Sequence, residues 1–482
     1  MASVDLLASL RLDDNKPKAP ALHGAPVFYR NLEQVLDQRR ADGSIYRIPK
    51  GIVSEEGVTD LVTMDLLSLT KSGKMRTLFL EEAKHPEFRL NMGATRLMSG
   101  NPYLSETEDE VAALHGAEAA LLFRSGWDAN TAIMVSIPRP GDVILFDELV
   151  HASLHDGMQL SLASTKQAFK HNDVDAFREA LMHIKEREQL IRDGSRCVLI
   201  VVESEYSMEG DITPLAELVS VAKEIFPDGN AQFIIDEAHS TGVLGKDGKG
   251  LVSELGLEKE IAIRMHSFTK AMACAGGAAV LCNETVRSMM INFARILIYS
   301  HSPEFSIVAS VRVACNLMKT GQIEPLRLQL QRVIRKFYDT ITSNEVFDEA
   351  VEAGLLSIPA AADYESKEYL SHISYLMTRQ RYNQYLYYHL QLRGFKVLAV
   401  DYPIVPKGQN RIRLVFKAHI TDAQIEAFVE AVTEWAQEML EIEASPRGGD
   451  KIPSATRHVY AMRDKLLGAT GVANGASNGD FS

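Results

Sequence analysis

Residues 232–242 read QFIIDEAHSTG. Phe233, Ile234 and Ile235 form an apolar run of strand length, too short for a helix. The run stops abruptly on Asp236. A buried strand that turns polar at its last residue matches the carboxyl end of a parallel sheet strand, where such folds build sites. A plainer reading stays open at this point: Asp236 caps the next helix, and His239 is a surface histidine.

Five further runs of this kind flank it: AALLF from Ala119, DVILF from Asp142, CVLIVV from Cys197, IRMHS from Ile263 and GAAVLC from Gly277. Most separations leave room for a helix. That rhythm predicts repeated βαβ units, hence an α/β fold with a mostly parallel sheet. CVLIVV is apolar on both parities, as a strand covered on both faces requires. After about Pro303 the rhythm changes. LRLQLQRVIRKFYDTI (326–341) and TDAQIEAFVEAVTEWAQEML (421–440) read as long helices around the strand-like pieces GFKVLAV and NRIRLVF. This predicts a smaller α+β C-terminal domain.

Residues 1–90 form a mixed N-terminal segment with a charged helical stretch, NLEQVLDQRRADG from Asn31, and a break at Pro49–Gly51. The expected division is an N-terminal segment at 1–90, a major domain at 91–320 and a small domain at 321–445. Residues 446–482, ending GATGVANGASNGDFS, are expected to be a disordered tail.

The chain has 482 residues, enough for about three units at the usual domain size. Apolar residues at 46% and charged residues at 24% exclude collagen, coiled coil and wholesale disorder. A net charge of −13 without a basic run argues against nucleic-acid backbone binding. Cys197, Cys274, Cys282 and Cys315 are too scattered for a disulfide framework or a metal knot, which suits a reducing compartment. MASVDLLASLRLDDNK (1–16) lacks the pattern of a secretory or organellar presequence. A cytoplasmic protein without a membrane span or a metal is expected. GVLGKDGKG (242–250) looks like a phosphate loop but has Asp247 where a hydroxyl would stand, so it reads as a turn.

Two more segments carry polar residues beside core strands. In RMHSFTKAMACAGGAAVLC (264–282) a single lysine, Lys270, follows a strand and precedes small residues. Small neighbours let a planar group approach closely. An apolar setting lowers an ammonium's pKa and makes the amine nucleophilic, as a Schiff-base lysine needs. A solvated lysine at a helix start is the alternative. Ser267 and Thr269 place hydroxyls nearby. In LLFRSGWDANTA (121–132) a strand runs into Ser125 and Gly126, and a helix starts near Trp127. Free N–H groups there suit an anion, although an ordinary strand–turn–helix corner reads the same way.

In this order the segments resemble the α-oxoamine synthase family, the pyridoxal phosphate enzymes of fold type I that include aminolevulinate synthase, amino-oxononanoate synthase, glycine C-acetyltransferase and serine palmitoyltransferase. The resemblance rests on GATRLMSGN (93–101), FRSGWDAN (123–130), DELVHASLHDG (147–157), ESEYSMEGDITPL (203–215), DEAHSTGVLGKDGKG (236–250), SFTKAMACAGGA (267–278) and NRIRLVF (410–416). It implies a large mixed, mostly parallel sheet domain, a smaller α+β domain and a homodimer with shared sites.

The resemblance also implies roles. Lys270 would carry the cofactor, and Asp236 would pair with its ring nitrogen. His151 would stack on the ring. Ser207 and His239 would bond the phenolic oxygen, with Glu203 close to the ring. Ser125, the Gly126–Trp127 backbone, Ser267 and Thr269 would hold the phosphate. Arg413 would bind the substrate carboxylate, with Arg411 as the alternative. Three places depart from the family pattern. Met64 and Asp65 stand where an Asn is usual. Ser105 replaces a His and reads as the N-cap of a capping box with Glu108. His301 replaces a partner-subunit Thr, leaving His301 or Ser300 for that role. The implied reaction is a decarboxylative condensation of a small α-amino acid with a CoA or carrier-protein thioester. The rivals are transamination or aldol chemistry on the same scaffold, or a non-catalytic subunit.

Overall fold

The computed structural model describes residues 17–41, 45, 57–87, 94–98, 100–379, 381–402, 404–445 and 452–473. After a two-residue strand β1 (Thr59–Asp60), seven strands build the large sheet: β2 (Ala119–Phe123), β3 (Val143–Asp147), β4 (Thr165–Phe169), β5 (Val198–Glu203), β6 (Ala231–Asp236), β7 (Ile261–Ser267) and β8 (Ala278–Cys282). Their spatial order is β2-β8-β7-β6-β5-β3-β4, and β8 alone runs against the rest. All six runs read as strands from the sequence are strands. The seventh, β4, went unread because it is an edge strand: Lys166 and Ala168 are exposed, and only Phe169 is buried.

β5 has the two covered faces its composition required. Val198, Ile200 and Val202 join one core with the helices Val174–Arg187 and Leu215–Ile225. Leu199 and Val201 join the opposite core with the helices Gly126–Ser136 and Ala152–Leu160. Parallel alignment brings the strand ends into line: Glu203 lies beside Asp236, and Asp236 beside Met265 near the end of β7. The residues of interest thus collect at one edge of the sheet.

The small sheet is antiparallel, in the order β12 (Leu398–Val400), β13 (Arg411–Val415), β10 (Ile373–Thr378) and β9 (Leu356–Ser357). The helices Glu324–Thr342 and Asp422–Ala444 pack with it, close to where the sequence placed them. The segment after residue 57 joins this unit rather than standing alone. β1 pairs with β11 (Phe395–Lys396), and Val415 N–H donates to the Leu61 carbonyl at 2.9 Å. Gly210 links the two sheets: with φ of +65° it runs so close to β10 that a Cβ would fall 2.3 Å from the Ile373 carbonyl oxygen.

The charged stretch from Asn31 lies in the helix Val27–Ala41, and the Pro49–Gly51 break lies outside the described residues. The stretch expected to be a disordered tail contains a helix, Ser454–Ala473. Its Val459 is fully buried against Tyr388 of the helix Tyr382–Leu392, an apolar contact that the compositional bias concealed. The capping box at Ser105 and Glu108 is also overturned. Pro102 at the first turn and Asn101 as N-cap start the helix Pro102–Leu114 earlier, and Asn101 accepts the Leu104 N–H at 3.1 Å. Ser105 is an exposed mid-helix residue, and the buried Glu108 accepts the Leu122 N–H and pairs with Arg96.

Candidate active site

Asp236 ends β6 and is 6% exposed. Two donors hold its carboxylate: Asn130 Nδ2 at 2.7 Å and Ala238 N–H at 2.8 Å. Asn130 spends its second N–H on Ser153 Oγ at 3.0 Å. With that oxygen accepting, the Ser153 hydroxyl donates to His151 Nδ1 at 2.8 Å, which leaves the His151 proton on Nε2. One chain of bonds therefore fixes Asp236 and His151 relative to each other. His151 opens the helix Ala152–Leu160 and meets the exposed Trp127 edge-to-face, with ring centroids 5.9 Å apart.

Lys270 lies in the Phe268–Gly277 connection between β7 and β8. It is half-buried, and burial lowers its pKa against the opposing pull of Asp236 and Glu203. Glu203 at the end of β5 is 3% exposed; burial and then the Asp236 charge push its pKa well up. His239 is buried and its pKa lies well below the usual value, first through burial and then through the charge of Lys270.

Ser125 caps the helix Gly126–Ser136, accepting the Asp128 N–H at 3.1 Å. A Cβ on Gly126 would stand 3.5 Å from Met265 Cε and 3.9 Å from Ser267 Cβ. The helix start and the end of β7 thus meet in one corner, where Ser267 Oγ is bonded to Thr269 Oγ1 at 3.0 Å. That corner offers free helix N–H groups and two hydroxyls, the chemistry an anion needs.

The two arginines of β13 differ. Arg411 is saturated: it donates to the Met208 and Gln409 carbonyls, Glu209 Oε1 and Gln409 Oε1, and lies 4.3 Å over the Tyr375 ring. Arg413 donates from Nε to the Ser207 carbonyl at 2.6 Å, while its Nη2 is buried without a partner. Burial lowers its pKa to about 10. A desolvated N–H facing the site is what an incoming carboxylate would satisfy.

The structure brings together Ser125, Gly126, Trp127, His151, Glu203, Ser207, Asp236, His239, Ser267, Thr269, Lys270 and Arg413. It does not bring in His301, which is exposed on the segment after the helix Arg295–Tyr299; among the described residues no hydrogen bond ties it to the others. Asp65 is occupied with the Thr70 and Lys71 amides of its own loop, and Met64 packs on the core. Asn130, Ser153, Glu205 and His372 were missed. Asn130 and Ser153 stood inside quoted motifs, the first one helical turn past Gly126 and the second in the first turn after His151. His372 had no local signal, since it precedes β10 far along the chain. Among the described residues there is no metal-ligating cluster, and no helix is long and apolar enough to cross a membrane.

Residues 67–432 match the family described as aminotransferase class I and II. An aminoacyl transferase, sphA, of Aspergillus fumigatus is 47% identical over 92% of this chain and 94% of its own length. An 8-amino-7-oxononanoate synthase of Emericella nidulans is 36% identical, covering 83% of this chain and 94% of its own. A serine palmitoyltransferase from S. paucimobilis, solved with PLP and myriocin, superposes with a TM-score of 0.69 at 22% identity, over 86% of this chain and 98% of the other, a likeness of fold. The chain belongs to the aminotransferase class I and II family, in its α-oxoamine synthase group of pyridoxal phosphate-dependent acyltransferases.

Proposed function

We propose that this enzyme joins a small α-amino acid to an acyl thioester with loss of CO2, giving an α-amino ketone and a free thiol. The observation that carries this reading is the unpaired, buried Nη2 of Arg413 in a site whose lysine is held toward its neutral form. Bound pyridoxal phosphate supplies an electron sink for negative charge at the substrate's α-carbon.

Everything else falls to the chain's own side chains. Arg413 binds the amino-acid carboxylate. Asp236, held by Asn130 Nδ2 and the Ala238 N–H, would be the counter-ion for the ring nitrogen. His151, oriented through Ser153, would lie against the ring, with Glu203 near it. Ser207 and His239 serve the phenolic oxygen. Ser125, the Gly126–Trp127 backbone, Ser267 and Thr269 bind the phosphate. Lys270 would hold the cofactor, and its Nζ, held toward the neutral form, would accept the substrate's α-proton. In the net change a carbon–carbon bond forms between the α-carbon and the acyl carbonyl, the carbon–sulfur bond breaks, CO2 departs and a proton takes its place. We place the reaction in a cytoplasmic homodimer, in which His301 or Ser300 of the second copy completes the phosphate end.

Incubating the purified enzyme and cofactor with a panel of amino acids, acyl-CoAs of graded length and carrier-protein thioesters tests this. Thiol release together with an amino ketone of the summed mass supports it. A keto acid from the amino donor without thiol release refutes it in favour of transamination.

A further inference from the structure

Behind His239 lies a line of polar side chains that the reaction does not consume. Glu205, just past β5, is 1% exposed, a place where a carboxyl group is costly to keep. Its Oε1 accepts the Ser371 hydroxyl and lies 3.1 Å from His372 Nδ1. The other nitrogen of His372, Nε2, stands 3.5 Å from His239 Nδ1, and the two rings are within 16° of parallel. His372 is itself fully buried. From the sealed carboxyl group to His239 the successive polar atoms stand 3.1 Å and 3.5 Å apart, with the His372 Nδ1 contact a close approach rather than a formed hydrogen bond.

We propose that Glu205 and His372 are positioning residues that decide whether His239 offers the cofactor's phenolic oxygen a donor or an acceptor. This rests on the placement of His239 given above. A neutral imidazole carries one N–H, so fixing one nitrogen fixes the other. With Glu205 protonated, its O–H donates to His372 Nδ1, His372 Nε2–H donates to His239 Nδ1, and His239 keeps a proton on Nε2 for the site. With Glu205 ionised, His372 Nδ1–H donates to the carboxylate, His239 Nδ1–H donates to His372 Nε2, and His239 Nε2 is a bare lone pair. One proton leaves the assembly, each ring keeps one, and the net change is felt at His239 Nε2.

The surroundings suit such a line. Burial holds both histidines neutral, with the charges of Lys270 and Arg413 adding to the effect. Burial pushes Glu205 up to about 8, with Ser371, Arg413 and Lys270 pulling down and Asp211 pushing up. The charged and titratable groups facing the line are therefore Arg413 on β13, Lys270 in the β7–β8 connection, Asp211 past β5, His151 at its helix start and Tyr369 beside Glu205.

The test is the visible absorbance of the cofactor-loaded enzyme, titrated from about pH 6 to about pH 10 across the range where such a carboxyl would ionise. The wild type should interconvert two bands, belonging to the two proton arrangements at the phenolic oxygen, with the ratio changing about tenfold per pH unit beside the midpoint, as for one proton. Glu205→Gln and His372→Phe should lose that step, with Glu205→Leu as a second variant at the same position. In each, borohydride reduction should still fix the cofactor on Lys270 by mass spectrometry. A wild-type step that survives in the Gln and Phe variants overturns the relay while leaving the site intact. An adduct on a residue other than Lys270 overturns the site reading, and the relay with it.

Discussion

Asp236 and Glu237 are neighbours in sequence, and both are buried carboxylates, yet they serve different ends. Glu237 is closed in by its own chain. Its Oε1 accepts the Val252 N–H at 3.0 Å, its Oε2 lies 3.0 Å from His266 Nε2, and a Cβ on Gly250 would come within 2.5 Å of Oε1. Around Asp236 the chain stands back, leaving a half-buried Lys270, an exposed Trp127 and the unpaired Nη2 of Arg413. Both groups contain shifted pKa values: burial raises Glu237 and drives His266 well down. A shifted pKa therefore does not by itself mark a site in this molecule. What distinguishes the surroundings of Asp236 is that Lys270 and Trp127 are partly open to solvent, whereas Glu237 and His266 are fully buried.

The largest break in that contrast should come from Lys270→Ala. Turnover should fall by roughly 10³-fold or more, since one substitution removes both roles proposed for Lys270, nucleophile and proton acceptor. Thermal melting should stay near wild type, which differential scanning calorimetry can check. Next, Asp236→Asn should lower kcat by roughly 10²–10³-fold with little change in melting. Glu237→Gln should do the reverse, costing about 1–3 kcal/mol of stability while the cofactor still binds. If both variants lose the same property, the two carboxylates are not specialised as described.

The arginines give a smaller, sharper pair. Arg413→Ala should raise the amino-acid KM about 10- to 100-fold, the scale of one charge-assisted hydrogen-bond pair. Arg411→Ala should mainly lower the melting temperature, because Arg411 Nη1 ties β13 to Met208 and Glu209. An unchanged KM in the Arg413 variant moves the carboxylate role elsewhere.

The mildest effect concerns His171, which bridges Asp147 at 2.9 Å and Asp211 at 2.8 Å. Against the opposing pull of burial, these two carboxylates raise its pKa from 6.5 to about 10. The folded value is above the unfolded one, so the stabilisation is complete below about pH 6.5 and is lost as pH rises through about 10. Melting should fall between neutral pH and about pH 10 in the wild type, and less in His171→Asn.

Much of the sheet was readable, because apolar runs on both parities admit few other placements, as β5 shows. β4 was not, since an edge strand with polar outward positions lacks that signature. Asp236 and Lys270 stood out because each interrupts an apolar context. Their supports did not: Asn130 reaches Asp236 across 106 residues, and His372 reaches His239 across 133. Only the folded chain specifies such pairings. Ser105 misled for a local reason, since a capping pattern yields when a better cap lies just upstream. The docked helix after Ser454 was hidden because a small apolar cluster around Val459 and Tyr460 weighs little in a composition dominated by small residues.

The lone reversed strand β8 has one more consequence. It makes the lysine-bearing connection a turn pinned at its base, with Phe268 N–H on the Gly277 carbonyl at 3.1 Å, Gly277 N–H on Arg124 at 2.8 Å and Cys274 N–H on Phe268 at 3.0 Å. Catalytic connections usually belong to the least protected parts of a protein. Here the amides of Phe268, Cys274 and Gly277 should exchange with deuterated solvent nearly as slowly as the sheet itself. The nucleophile would then move by rotating its own side chain over a backbone that stays shut.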